Sequence, residues 1–268
     1  FECSMSLMEL LIAPLPSVWH HILFTGTRTM DDKPHLSTQF DAEINAVSTR
    51  VLEMGGQVES QLAQAIYSLR HRDVVAARTV LQVEKRVNQM EVDIDADITQ
   101  IIAKRQPTAR DLRLLMAISK TIANLERAGD EAARIARMAR DIVESGTPMT
   151  IGISDLQHAS DLAIEQMRKS LDAFARLDEK AAVDIVESDF RIDEEFDGFT
   201  RKVITYVMED PRAISTMLDL MFVAKAIERI GDHAKNIAEL VIYIVRGTDV
   251  RHNKEAFREV AGSLGSAL

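Results

Sequence analysis

Two stretches decide the fold. The first is Glu126-Arg127-Ala128-Gly129-Asp130-Glu131-Ala132-Ala133-Arg134-Ile135-Ala136. The second is Glu228-Arg229-Ile230-Gly231-Asp232-His233-Ala234-Lys235-Asn236-Ile237-Ala238. Both read E-R-x-G-D-x-A-x-x-I-A, with seven of eleven positions identical. Self-similarity at a long spacing marks a duplicated unit. Glu126 and Asp130 are i, i+4, as are Glu228 and Asp232. On a helix such positions share one face, one turn apart. A glycine inside a helix costs roughly 1 kcal/mol relative to alanine. Both copies accept that cost, which points to close approach of a neighbouring helix at Gly129 and Gly231.

Working outward, each motif sits on a long amphipathic helix and is preceded by two others. In the first half, apolar residues recur every three or four positions from Phe40 to Leu69. Gly55-Gly56 marks a possible kink in that helix. Asp73 reads as the N-cap of a second helix through Val87 and Ile101. Gln106-Pro107-Thr108 is a turn. The third helix, Ala109 to about Glu144, carries the first motif. Ser145-Gly146-Thr147-Pro148 is the clearest break. The pattern then repeats: a fourth helix through Phe174, a fifth capped by Asp178 and running to Val207, a turn at Asp210-Pro211, and a sixth bearing the second motif and ended by Gly247. The reading is all-α, two tandem pseudo-symmetric antiparallel three-helix bundles. The expected divisions are residues 30–147, 148–247 and a frayed tail, 248–268. Residues 1–29, with Pro14, Pro16 and two histidines breaking their apolar run, fit neither a secretory signal nor a membrane span. They are expected to be a non-native or disordered leader, with Met30 the first plausible start.

Composition agrees. Glycine (11) and proline (6) are scarce and aromatics make up 5% of 268 residues, as in helical proteins. A net charge of −10 argues against nucleic acid as a partner. The single cysteine, Cys3, excludes an internal disulfide framework and a Cys-based zinc site. A reducing, cytoplasmic setting fits.

The acidic pairs carry the candidate chemistry. Antiparallel packing of second helix on third would bring Asp189 and Asp193 towards Glu228 and Asp232. It would bring Glu84 and Asn88 towards Glu126 and Asp130. Facing carboxylates suit a hard cation such as Mg, Ca, Mn or iron. The first half has one carboxylate fewer, so the second half is expected to hold the stronger site. A di-metal carboxylate oxidase would want paired Glu-x-x-His segments, and none occurs. No nucleophile–base constellation or phosphate loop is visible, and the chain is read as a non-enzyme. His233 is read as a surface residue. A helical scaffold without metal remains the alternative.

The motif copies, together with Val51–Ser60, Ile101–Arg113 and Ser119–Thr121, resemble the PhoU family. The resemblance runs from Met30 to about Arg251. It implies a cytoplasmic negative regulator of phosphate uptake and of the phosphate-starvation response, often a homodimer. Its implied partners are the ATPase of the phosphate ABC transporter and a membrane sensor histidine kinase. It also implies metal ions, Mg, Mn or Fe, at Glu126, Asp130, Glu228, Asp232, Asp189 and Asp193, and less securely at Glu84.

Overall fold

The computed structural model describes residues 38–144 and 154–265. The expected leader and the Ser145–Pro148 boundary lie outside the described residues. Within them the chain is helical throughout, with no strand. The first half comprises α1 (Thr38–His71), α2 (Val74–Arg105) and α3 (Ala109–Glu144). The second comprises α4 (Ser154–Arg176), α5 (Glu179–Ser188), α6 (Phe190–Glu209) and α7 (Ile214–Arg246). A last helix, α8, spans Lys254–Gly265.

The connections follow from local chemistry. Asp73 Oδ1 accepts the amides of Val75 and Ala76 at 2.9 and 3.0 Å. Asp178 does the same for Ala181 at 3.0 Å. Together they satisfy three orphan donors of two helix starts. Gly247, at φ 75°, ends α7 and donates its amide to Tyr243 O at 2.9 Å. That left-handed geometry is the one glycine tolerates without penalty.

Burial repeats between the halves. Val51, Met54, Val58 and Leu62 of α1 are buried, and so are Leu156, Ala159, Ala163 and Met167 of α4 at the same steps. Ala77, Val87, Ile94 and Ile98 of α2 recur as Ala182, Ile192, Phe199 and Val203. The motif helices lie between the halves and pack on one another. They run antiparallel. Lys120 of α3 stands over the Tyr243 ring of α7 at 5.8 Å, whereas further along α3 Glu131 meets Arg229 at 2.9 Å.

Three expectations meet specific features of the structure, and two of them, the unbroken fifth helix and the frayed tail, are corrected. The helix expected to begin at Asp178 is interrupted at Asp189, which separates α5 from α6. Asp189 keeps right-handed helical angles (φ −57°, ψ −36°), so the chain is locally disturbed rather than turned. The interruption falls where a carboxylate is drawn inward and bound from two other helices. Second, α1 runs on unbroken through Gly55-Gly56. Gly55 is instead a contact point, since a β-carbon there would lie 2.6 Å from Leu171 Cδ2 of α4. Third, the tail is not frayed from residue 248. Asn253 caps α8 through the Ala256 amide at 3.1 Å, Val250 and Val260 are buried, and Arg246 Nη2 donates to Ser263 Oγ at 3.1 Å. The Phe257, Val260, Ala261, Leu264 spacing is helical, but its polar, small-residue surroundings hid it.

Candidate functional site

At the motif glycines neighbouring helices come close. A β-carbon on Gly231 would sit 2.7 Å from Ile192 Cδ1 of α6. One on Gly129 would sit 3.1 Å from Gln61 Oε1 of α1 and 3.4 Å from Val87 Cγ1 of α2. Each glycine carbonyl also faces a buried glutamine. Gln61 Nε2 reaches Gly129 O at 3.1 Å, and Gln166 Nε2 reaches Gly231 O at 3.5 Å. Those glutamines are 1% and 7% exposed. Sequence reasoning missed them. The signal was a polar residue inside an apolar stripe at the same step of the first and fourth helices.

The glycine contact brings the second helix of each half against the motif carboxylates. In the second half, burial pushes the Asp232 carboxyl up to about 6, helped by the charges of Glu228 and Asp189. Burial, with Asp189 and Glu228, likewise raises Asp193. Two lysines offset this crowding. Lys235 Nζ donates to Asp189 Oδ2 at 2.8 Å, and Lys225 Nζ lies 2.6 Å from Glu228 Oε2. Asp189, 5% exposed, also accepts from Gln166 Nε2 at 2.9 Å.

In the first half, burial raises Glu126, with Asp130 and Glu91 adding to it. Glu91 is raised by burial and Asp95. Alanines, Ala123 and Ala133, stand where the second half has Lys225 and Lys235. Glu84 lies 3.5 Å from Arg137 of α3, and its charge adds to the crowding of Glu126. Asn88 Oδ1 is buried without a hydrogen-bond partner. A buried amide oxygen without a partner is uncommon in a folded chain. The second half counts more acids, but two of them, Glu228 and Asp189, are already paired with lysines. Among the described residues, no three His, Cys, Asp or Glu side chains converge as a metal-ligand group.

The two motif copies also meet across the α3–α7 contact, around a hollow of about 290 Å³ lined by Arg127, Asp130, Glu131, Arg229, Asp232 and His233. Glu131, 8% exposed, accepts from Arg229 Nη1 at 2.9 Å. His233 is not a surface residue. Its Nδ1 lies 3.1 Å from Asn124 Oδ1, which also accepts from Asn236 Nδ2 at 3.1 Å. Burial pulls its pKa down to about 4, and Arg127 and Arg229 add to the shift. The imidazole is therefore neutral at pH 7, and Nδ1 carries the proton it donates to Asn124.

These features have counterparts in known proteins. The model of the PhoU domain matches the chain twice, over residues 51–139 and 156–241. A "phosphate-specific transport system accessory protein PhoU homolog" of Burkholderia sp is 50% identical over 224 residues, covering 83% of this chain and 95% of that protein. The protein named "phosphate-specific transport system accessory protein PhoU" in Escherichia coli K12 is 46% identical over 219 residues, covering 81% of this chain and 90% of its own length. The crystal structure of PhoU from Pseudomonas aeruginosa superposes with a TM-score of 0.76 at 44% identity, covering 78% of this chain and all of that one. The chain belongs to the PhoU family, a family of helical accessory proteins with two tandem domains.

Proposed function

We propose that this chain regulates phosphate transport. It holds the phosphate-starvation response off when phosphate is plentiful, as a cytoplasmic adaptor between the phosphate transporter's ATPase and a sensor histidine kinase. It works as a homodimer and has no catalytic activity of its own. The observation that supports this is the match along the chain to phosphate-transport accessory proteins, both E-R-x-G-D copies included. No described helix is long and apolar enough to cross a membrane, so attachment to a transporter would run through protein contacts. A starvation-response reporter in a strain lacking its own family member tests the reading. Expressing this chain should return the reporter to its repressed level in high phosphate. A reporter that stays on, with the chain present and folded, overturns it.

A cation at the acidic pairs is part of the proposal. Mg, Mn or Fe would offset the carboxylate repulsion, with the first half (Glu84, Asn88, Glu126, Asp130) the preferred seat. Its orphaned Asn88 oxygen and missing lysines support that order. Binding to the native state alone raises stability by linkage. Thermal melts in added Mg, Mn or Fe should therefore rise, and Ala123→Lys, at the half-buried counterpart of Lys225, should remove most of the rise. No rise with any of the three ions would refute the cation, leaving the regulatory reading standing.

A further inference from the structure

The two motif helices carry the same exposed apolar pair. Leu112 and Met116 of α3 are 38 and 43% exposed. With the E-R-x-G-D copies aligned, their counterparts on α7 are Ile214 and Leu218, 48 and 52% exposed. Each pair is i, i+4, so each forms one strip along its helix. A single exposed leucine is ordinary. Large apolar side chains left open at the same two positions of both halves are a repeated feature of the surface.

The α3–α7 contact places both pairs on one face. Asn124, five residues before Gly129, meets Asn236, five after Gly231. Glu131, two after Gly129, meets Arg229, two before Gly231. A pseudo-two-fold axis therefore relates the antiparallel helices and passes between the two glycines. The hollow lined by Arg127, Asp130, Arg229 and Asp232 straddles that axis. Leu112 stands 18 residues before Asp130, about five turns, and Met116 stands 14 before it, about four. The same counts run from Ile214 and Leu218 to Asp232. Each apolar pair thus lies on the side of its helix that faces the hollow's opening. At 1.5 Å per residue, each lies about 20–25 Å from the axis, at opposite ends of the face.

The symmetry of the face says what covers it. One subunit with one complementary patch would use one end and leave the other bare. Two like subunits around a two-fold axis, the commonest symmetry of oligomers, meet both ends with the same residues. Near the axis, Arg127 and Asp130 recur as Arg229 and Asp232. An acid and a base close to the partner's axis, each present twice, would pair with both copies at once. We infer that this face seats a partner built of two like subunits, one anchored on Leu112 and Met116, the other on Ile214 and Leu218. This deepens the regulatory reading above and rests on it. Of the partners proposed there, the occupant is the transporter's ATPase, since the relatives are named as accessory proteins of a transport system. Two anchors on one rigid face bind more tightly than either alone, because the second engages at high effective concentration.

Photocrosslinking in the reporter strain tests it. A photoreactive residue at position 116, and in a separate chain at position 218, should mark the same segment of the ATPase. Met116→Lys and Leu218→Lys should each weaken binding to the purified ATPase at least tenfold. Together they should leave the reporter on in high phosphate, with helical circular dichroism unchanged because both side chains are exposed. Crosslinks to two different segments, to another protein or to a second copy of this chain overturn the inference. So does a double variant that represses like the wild type, or a repressing chain that gives no crosslink from either position. A wild type that cannot repress overturns the regulatory reading and this inference with it.

Discussion

Asp232 and His233 are neighbours whose burial drives their protonation in opposite senses, and this sets the acid behaviour of the fold. His233 titrates near 4 when folded, against a usual 6.5. Between those values the unfolded chain takes up a proton that the folded chain refuses, so stability falls as pH drops through the window. At 1.36 kcal/mol per pH unit the loss is at most about 3 kcal/mol. Asp232 titrates near 6 when folded, against a usual 3.8. There the folded chain binds the proton first, and stability rises as pH drops from 6 towards 4. The two effects partly cancel in the wild type. Denaturant melts between pH 4 and 7 with chelator present should separate them. His233→Gln should gain stability on acidification, and Asp232→Asn should lose more than the wild type. At pH 7, Asp232→Asn should be the more stable chain, because a repelled carboxylate is gone. Parallel pH profiles for all three chains would contradict this assignment.

At the scale of the helices, pattern reading located most elements because caps and apolar periods are local. Asp73, Asp178 and Gly247 mark their helix ends in sequence and in space. The Asp189 interruption was not legible, since its cause is three-dimensional: Gln166 and Lys235 lie 23 and 46 residues away. The same holds for the acidic sites. Counting carboxylates favoured the second half, and did not show that Lys225 and Lys235, on the motif helix itself, pair with Glu228 and Asp189 once the helices are packed. His233 looked like a surface residue because its partner, Asn124, belongs to the other half of the chain. The Asp189–Lys235 pair can be weighed directly. Its carboxylate side is 7% exposed and its ammonium side 33%. Removing one partner leaves the other charge poorly compensated, so Asp189→Ala should cost about 3 kcal/mol. Asp189→Ala with Lys235→Met should cost clearly less than the sum of the single changes. Strict additivity in urea melts would show that the pair is not coupled.

For the molecule as a whole, the duplication raises the question of whether the halves fold as one or two units. The α3–α7 contact answers it. On α3, Ala128, Ala132, Ile135 and Ala139 are buried, as are Ala234, Ile237, Ala238 and Val241 on α7. Small residues on a helix surface allow close packing over a long contact. Polar partners are also shared across it, since Asn124 meets His233 and Asn236, and Glu131 meets Arg229. If one half unfolded alone, the other would expose this apolar surface to water. Re-exposing a long apolar helix contact costs several kcal/mol at about 25 cal/mol per Å², which is comparable with a typical domain's whole stability of about 5–15 kcal/mol. The halves are therefore expected to unfold together. Hydrogen exchange at the centres of α1 and α4, followed through a denaturant series, should report one common opening free energy that agrees with the loss of circular dichroism. Arg229→Ala should lower that value in both halves by a similar amount, about 2–3 kcal/mol, although Arg229 lies in the second only. Two separate openings, with the Arg229→Ala loss confined to α4–α7, would mean that the repeats are independent domains joined by contact alone.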